Sequence, residues 1–269
     1  MELPEITVLA GQMNSQLSGL TVKGIHVENE KCLNMPLLEF KGSLTGSTIQ
    51  SVTPLGKWVD MKLKGGDHLL FNSGMGCDVT RYEPGGTLPE KYHIDMHLED
   101  SSGFTVRVWW FCYLHLVDDP ASHKLTSGIG PTPLDDDFTL EKFRGMLSGR
   151  RGGVKTYLTN QRNIAGIGNV YIQDILFMAG LHPLRKVNTL TEDSVEALYN
   201  SMRLHLKESI AHGGLSYEKD FYGNHGGFGK KHFLVAYKTG EPCPRCGTII
   251  EKIKTGSTSS YVCPACQPL

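Results

Sequence analysis

Between residues 4 and 18 the apolar side chains Ile6, Leu9, Met13 and Leu17 recur every three or four positions, which predicts one buried face of a helix. Pro4 suits its first turn and Gly19 its stop. The period then drops to two. Val59, Met61 and Leu63 alternate with Asp60, Lys62 and Lys64, and Gly65-Gly66 predicts a hairpin into Leu69-Leu70-Phe71. Tyr92, Ile94, Met96 and Leu98 alternate with polar residues, Asp100 to Gly103 turn the chain, and Phe104, Val106 and Val108 alternate again. This half is expected to be antiparallel β, folded as a sandwich or flattened barrel. Gly128 to Asp137 has linker composition. Beyond it the helical period returns at Leu140, Phe143, Met146 and Leu147, then at Val170, Tyr171, Ile175 and Met178. Thr189 with Glu192 resembles a capping box for a third helix with the stripe Val195, Leu198, Tyr199, Met202 and Leu206, closed by Gly213-Gly214. Residues 215–235 read as a loop. The expected layout is multi-domain α+β: 1–130 a helix plus a β-sandwich, 131–137 a linker, 138–235 helical, and 236–269 a metal-held ribbon.

Composition narrows the class. The chain has 269 residues, 39% apolar and 20% charged, which fits globular domains. No apolar run approaches the ~20 residues of a membrane span, and MELPEITVLA lacks the pattern of a secretory signal. Seven cysteines, four of them near the C-terminus, argue against a disulfide framework and for a reducing compartment with a metal site. A cytoplasmic monomer with no membrane partner is expected. The net charge of −1 conceals an asymmetry: residues 1–134 carry 10 Lys and Arg against 15 Asp and Glu, and residues 135–269 carry 17 against 13. The basic half can attract phosphates, or it can be an ordinary solvated surface.

The strongest chemical signal is Cys243-x-x-Cys246 followed by Cys263-x-x-Cys266. Two such knuckles place four thiolates around one Zn²⁺, and a closed four-thiolate site is structural. Cys32, Cys77 and Cys112 read as small buried hydrophobes. His93, Asp95 and His97 share one strand face, but strand positions i and i+4 stand ~13 Å apart, so the two histidines do not share an ion and the three read as solvated. Asn163 to Tyr171 (NIAGIGNVY) forms a glycine-rich turn opening a helix, with Lys155 and Arg162 nearby. Such a turn can clamp a nucleic-acid backbone or serve only as a tight helix–helix turn.

Together these features resemble the formamidopyrimidine-DNA glycosylase / endonuclease VIII family over nearly the whole chain. The resemblance is carried by Glu2 to Glu5, Gly56-Lys57, Gly74-Met75-Gly76, Gly130 to Leu134, Gly166 to Tyr171, Gly213-Gly214 and Gly240 to Cys243. It implies a β-sandwich, a helix–two-turn–helix domain at 138–235 and a zinc finger at 236–269, with double-stranded DNA carrying damaged bases or abasic sites held in the cleft between. It also implies base excision with AP-lyase activity. An N-terminal amine attacks the sugar C1′, Glu2 acts as acid and base, and Lys57 contacts phosphate and the leaving base. Lys155, Arg162, Gly168 and Asn169 hold phosphates, and Met75 fills space left by the everted base. Glu5 and Asp174 match acidic family positions near the amine.

Three departures bear on this. Met1 stands where the family exposes a proline. Trp109 to His115 replace a segment carrying wedge Arg and Phe residues, with Tyr113 or Leu114 as candidate substitutes. Thr258 occupies the place of the zinc finger's phosphate-gripping arginine, with Lys252 and Lys254 as candidate compensators. An enzyme and a non-catalytic or lyase-only paralogue that binds damaged or abasic DNA therefore both stand as readings. A zinc-ribbon interaction module accounts for the last 30 residues only.

Overall fold

A computed structural model describes all 269 residues, which divide into two compact units: Met1–Gly128 with His212–Gly227, and Ile129–Ala211 with Phe228–Leu269. The expected helix is α1 (Leu3–Leu17), with Pro4 in its first turn and Ile6, Leu9, Met13 and Leu17 buried. Burying each of these apolar side chains contributes up to about 1.5–3 kcal/mol. There follow β1 (Val22–Val27), a short 3-10 turn at Glu30–Cys32, α2 (Leu37–Leu44), β2 (Ile49–Leu55), β3 (Trp58–Leu63), β4 (His68–Asn72), β5 (Cys77–Tyr82), β6 (Ile94–Leu98), β7 (Gly103–Val108) and β8 (Tyr113–Val117). They form two four-stranded antiparallel sheets, ordered β1-β6-β7-β5 and β2-β3-β4-β8. One core joins residues of both sheets with α1 and α2, the arrangement of a sandwich. The hairpins expected at Gly65-Gly66 and at Asp100 to Gly103 are the β3–β4 and β6–β7 connections.

Asp95 departs from the expected pattern. It is buried, accepts from Tyr82 Oη at 2.9 Å, and lies 3.1 Å from His97 Nε2. The alternation had placed it in solvent, but the tyrosine from β5 folds over that face of the sheet.

The second unit holds α3 (Leu140–Leu147), α4 (Val154–Thr159), α5 (Tyr171–Met178), α6 (Glu192–Ala211) and the hairpin β9 (Glu251–Thr255)–β10 (Thr258–Val262). The cap of α6 is Thr191, whose Oγ1 accepts from Ser194 N at 3.2 Å, rather than Thr189. The stretch expected as a linker at 131–137 packs within this unit: Gly130 N donates to Gln161 O, and Ala165 N donates to Pro131 O. Residues 212–227, expected with the helices, belong to the sandwich. Phe221 is fully buried there in edge contact with Phe104, and its N–H donates to Gln12 Oε1 at 2.8 Å. No helix is long and apolar enough to cross a membrane.

Candidate active site and zinc centre

In the first unit the chain terminus is built into the fold. The Met1 side chain is buried and packs on the core, while the residue as a whole is only half-buried, so its exposed surface is main chain. Its α-amine lies 3.5 Å from Glu218 Oε1. Glu218 comes from the 212–227 loop, and no motif or period in the sequence marks it. Glu2 caps α1 and is almost buried. Glu5 lies one turn in, and its two carboxylate oxygens accept from Glu2 N at 2.9 Å and Leu215 N at 3.1 Å. It thus ties the terminus to the returning loop, which makes it a positioning residue.

Lys57 sits in the two-residue turn between β2 and β3, where Gly56 takes φ +60°. Asn72 Nδ2 holds Lys57 O at 2.9 Å, and Asn72 Oδ1 accepts from Gly74 N at 2.9 Å. One side chain therefore fixes both the lysine turn and the Gly74-Met75-Gly76 turn. Gly74 must be glycine: it has φ +57°, and a Cβ there would stand 2.0 Å from Phe111 O. Met75, Trp110 and Phe111 are exposed by 77%, 80% and 42%, so the two adjoining loops present one apolar projection. Arg107 stacks on Trp109 at 4.4 Å and stiffens its base. Of the candidate wedge residues, Leu114 lies outside it, and Tyr113 packs edge-on beneath Phe111 at 5.6 Å. Leu114 is buried on β8, and Tyr113 stacks on Trp58 at 5.7 Å. Next along the chain, Cys77 is fully buried, and burial pushes its thiol up.

In the second unit two expected DNA contacts, Lys155 and Asp174, have partners inside the protein. Lys155 is only 4% exposed, and its Nζ donates to Thr255 Oγ1 at 3.0 Å, Thr258 Oγ1 at 3.0 Å, Ser259 O at 2.8 Å and Ser260 Oγ at 2.9 Å. Its three donors are shared among four oxygens of the β9–β10 hairpin, so it acts as a strut from α4 to that hairpin. Burial pushes this ammonium down to about 8. Asp174 is fully buried, and its carboxylate accepts from Leu234 N at 2.9 Å, Val235 N at 2.8 Å and Ala236 N at 2.9 Å. It anchors the 234–236 loop to α5.

Gly168 is buried and contributes backbone, its carbonyl accepting from Ile172 N. Asn169 is half-buried, with Oδ1 taken by Gln173 Nε2 at 3.1 Å and its Nδ2 left without a protein partner. Gln173 also accepts from Tyr261 N at 3.1 Å, so it couples the turn to the hairpin. Arg162 is exposed, as are Thr258, Lys252 and Lys254 on the hairpin.

The four C-terminal sulfurs lie within 4.8 Å of one another, with Cys243–Cys266 at 3.9 Å, Cys246–Cys263 at 3.5 Å and Cys246–Cys266 at 3.4 Å. A tetrahedral ion with ~2.3 Å bonds to sulfur needs edges of roughly 3.8 Å, so the set fits one Zn²⁺. Arg245 N and Cys266 N point at Cys243 and Cys263 sulfurs, both at 3.4 Å, as knuckle amides do toward thiolates. The finger does not depend on metal alone. Ile250, Tyr261 and Cys263 share a small core with Phe177 of α5 and Val235.

Comparison with known proteins agrees with this anatomy. Residues 1–108 match the formamidopyrimidine-DNA glycosylase N-terminal domain, residues 129–220 its H2TH domain, and residues 240–269 the zinc finger found in FPG and IleRS. The formamidopyrimidine-DNA glycosylase of Chloroflexus aggregans is 35% identical, covering 100% of this chain and 98% of its own. That of Bacillus subtilis is 30% identical over 99% and 98%. Among solved structures, Lactococcus lactis Fpg in complex with DNA containing an abasic site has a TM-score of 0.90 at 27% identity, covering 100% of both chains. Its complex with DNA containing Fapy-dG has 0.90 at 28% identity, again over 100% of both. The chain belongs to the formamidopyrimidine-DNA glycosylase family.

Proposed function

We propose that this chain is a base-excision repair glycosylase with AP-lyase activity, and that the α-amine of Met1 is its nucleophile. The observation that carries the reading is the terminus itself. The methionine side chain is buried while its main chain is the accessible part, and an acidic partner, Glu218, stands 3.5 Å from the amine. A primary amine needs no proline ring to form an imine, and burial of the side chain supplies the orientation that the ring otherwise gives.

The neutral amine attacks the sugar C1′, the bond from C1′ to the base breaks, and the base leaves with the bonding pair. Glu218 accepts the proton that the amine sheds. Glu2 protonates the ring oxygen as the sugar opens to the imine, and later relays protons during elimination of the strand phosphates. Lys57, whose ammonium makes no ion pair within the chain, is available to a phosphate. Flipping a nucleotide costs a few kcal/mol, and apolar side chains inserted in its place offset that. Met75, Trp110 and Phe111 supply such a projection here, in place of the family's wedge arginine and phenylalanine, which this sequence lacks. The substrate class is DNA with an abasic site or a ring-opened or oxidised purine, as in the complexes of the Lactococcus lactis relative and in a MutM complex with carbocyclic 8-oxo-G DNA. Asn169, Arg162 and the exposed hairpin lysines are the proposed phosphate contacts in the second unit.

Borohydride trapping on a duplex with one abasic site tests this. A covalent adduct mapped by peptide mass to the Met1 amine is expected, with Glu2→Gln slowing turnover. Tight binding to that duplex with neither an adduct nor a nick would establish the binding-only paralogue instead.

A further inference from the structure

One row of residues closes an end of the β2-β3-β4-β8 sheet. Trp58 opens β3, Asn72 ends β4 and Tyr113 opens β8, with Trp58 opposite Asn72 and Asn72 opposite Tyr113 in the strand register. Each adjoins a loop of the candidate site. Lys57 precedes Trp58, the Gly74-Met75-Gly76 turn follows Asn72, and the Trp109–Cys112 loop leads into Tyr113. The Asn72 amide joins the first two loops. Aromatic rings join the first and the third. Tyr113 stacks on Trp58 at 5.7 Å with 29° between the planes, and meets Phe111 edge-on at 5.6 Å and 77°. His115, on the same face of β8, also meets the tyrosine edge-on at 5.5 Å, and His123 holds that imidazole at 2.9 Å. Phe111 is exposed and Trp58 is buried. Tyr113 therefore lies between an exposed ring of the wedge and a buried ring whose backbone neighbour is Lys57.

We propose that Tyr113 is a positioning residue that couples insertion of the Phe111 ring into DNA to placement of Lys57 on its phosphate. The inference rests on the DNA-repair reading, in which Phe111 belongs to the wedge and Lys57 to the reacting end. Protein interiors are close-packed, so a ring pressed from one side passes the displacement to the ring behind it. When Phe111 enters the gap left by the everted nucleotide, its inner edge bears on Tyr113 and Tyr113 bears on Trp58. The Trp58 backbone carries Lys57. Seating the wedge thus sets the lysine, and chemistry follows eversion. Two groups without a shared partner would act independently instead. A second route runs through backbone: Phe111 O stands against Gly74, and Asn72 ties the Gly74 turn to Lys57 O. The aromatic route differs in that one side-chain substitution removes it and leaves those hydrogen bonds in place.

The test is a double-mutant cycle on the zinc-loaded full chain, read as single-turnover nicking of a duplex with one abasic site. Phe111→Ala and Lys57→Met are each expected to slow the reaction by roughly tenfold or more. Their combined loss should fall short of the product of the two by roughly threefold or more, as for groups that share a partner. In a Tyr113→Leu background the two losses should multiply. Tyr113→Val takes its place should the leucine variant unfold, with thermal unfolding as the check. Tyr113→Phe keeps the ring and should retain both the wild-type rate and the shortfall. Simple multiplication in the wild-type background overturns the proposal without any change at Tyr113. A shortfall that persists once the ring is gone also overturns it, and assigns the coupling to Asn72 and Gly74. A wild type that binds the duplex but neither nicks it nor forms a borohydride adduct sinks the DNA-repair reading itself. A wild type that does both, with losses that multiply, sinks the proposal alone.

Discussion

Lys155 Nζ donates to Thr258 Oγ1 at 3.0 Å, which joins a helix of the second unit to the tip of its zinc-finger hairpin. Removing the ammonium takes the shared donor from Thr255, Thr258, Ser259 and Ser260, of which Ser260 is buried. Lys155→Met is expected to lower unfolding stability by about 1–3 kcal/mol, read as Tm and urea midpoint. It should leave the salt slope of DNA binding unchanged, whereas Arg162→Ala should flatten that slope by roughly one unit. A flattened slope in Lys155→Met would return the lysine to the phosphate contacts.

Asp174 offers two anionic oxygens to three backbone N–H groups and is fully buried. Asp174→Asn replaces one acceptor with a donor facing those amides. A loss of about 2–3 kcal/mol is expected by denaturant unfolding, because buried hydrogen bonds to a charged group are among the stronger ones. Amide exchange at Leu234, Val235 and Ala236 should accelerate with it.

Trp110 is the most exposed residue of the aromatic loop, at 80%. Trp110→Ala should change stability by less than about 0.5 kcal/mol. Its single-turnover excision from duplex should slow by roughly tenfold or more, since flipping costs a few kcal/mol. Leu114→Ala, on the buried strand, should show the opposite profile: about 2–5 kcal/mol lost in stability by the cavity it leaves. Equal excision rates for wild type and Trp110→Ala would remove the tryptophan from the wedge.

His115 and His123 share a hydrogen bond of 2.9 Å beside Trp58. Burial, with His123 as a second cause, pushes the His115 imidazole down to about 4. Between pH 6.5 and 4 the unfolded chain therefore binds the proton that the folded chain refuses. The stability held above pH 6.5 should fall as pH drops through this window, by about 2–3 kcal/mol near pH 4.5. Urea unfolding at pH 7.5 and 4.5 checks it, and His115→Gln should lose most of the difference.

Some features were readable because their physics is local. Helix α1 and the β3–β4 and β6–β7 hairpins follow from burial of one face at a fixed period. The zinc centre follows from four thiolates at a spacing that two knuckles impose. Other features exceed any local signal. Helix α4 is six residues long, too short for a period to show. Glu218 lies in a loop without motif and reaches the Met1 amine only because Phe221 buries that loop in the sandwich core.

The amino-acid pattern by itself determined the α+β division, the antiparallel strands, the metal ligands and the family, since each is written in residues close together or in an order along the chain. Tertiary structure alone decided what the polar residues do. Lys155 meets acceptors 100 to 105 positions away, Asp174 turns inward to backbone amides, and Asp95 is covered by Tyr82. The reason is physical: a charged side chain takes its role from whichever partner replaces its lost water, and that partner comes from a distant part of the chain.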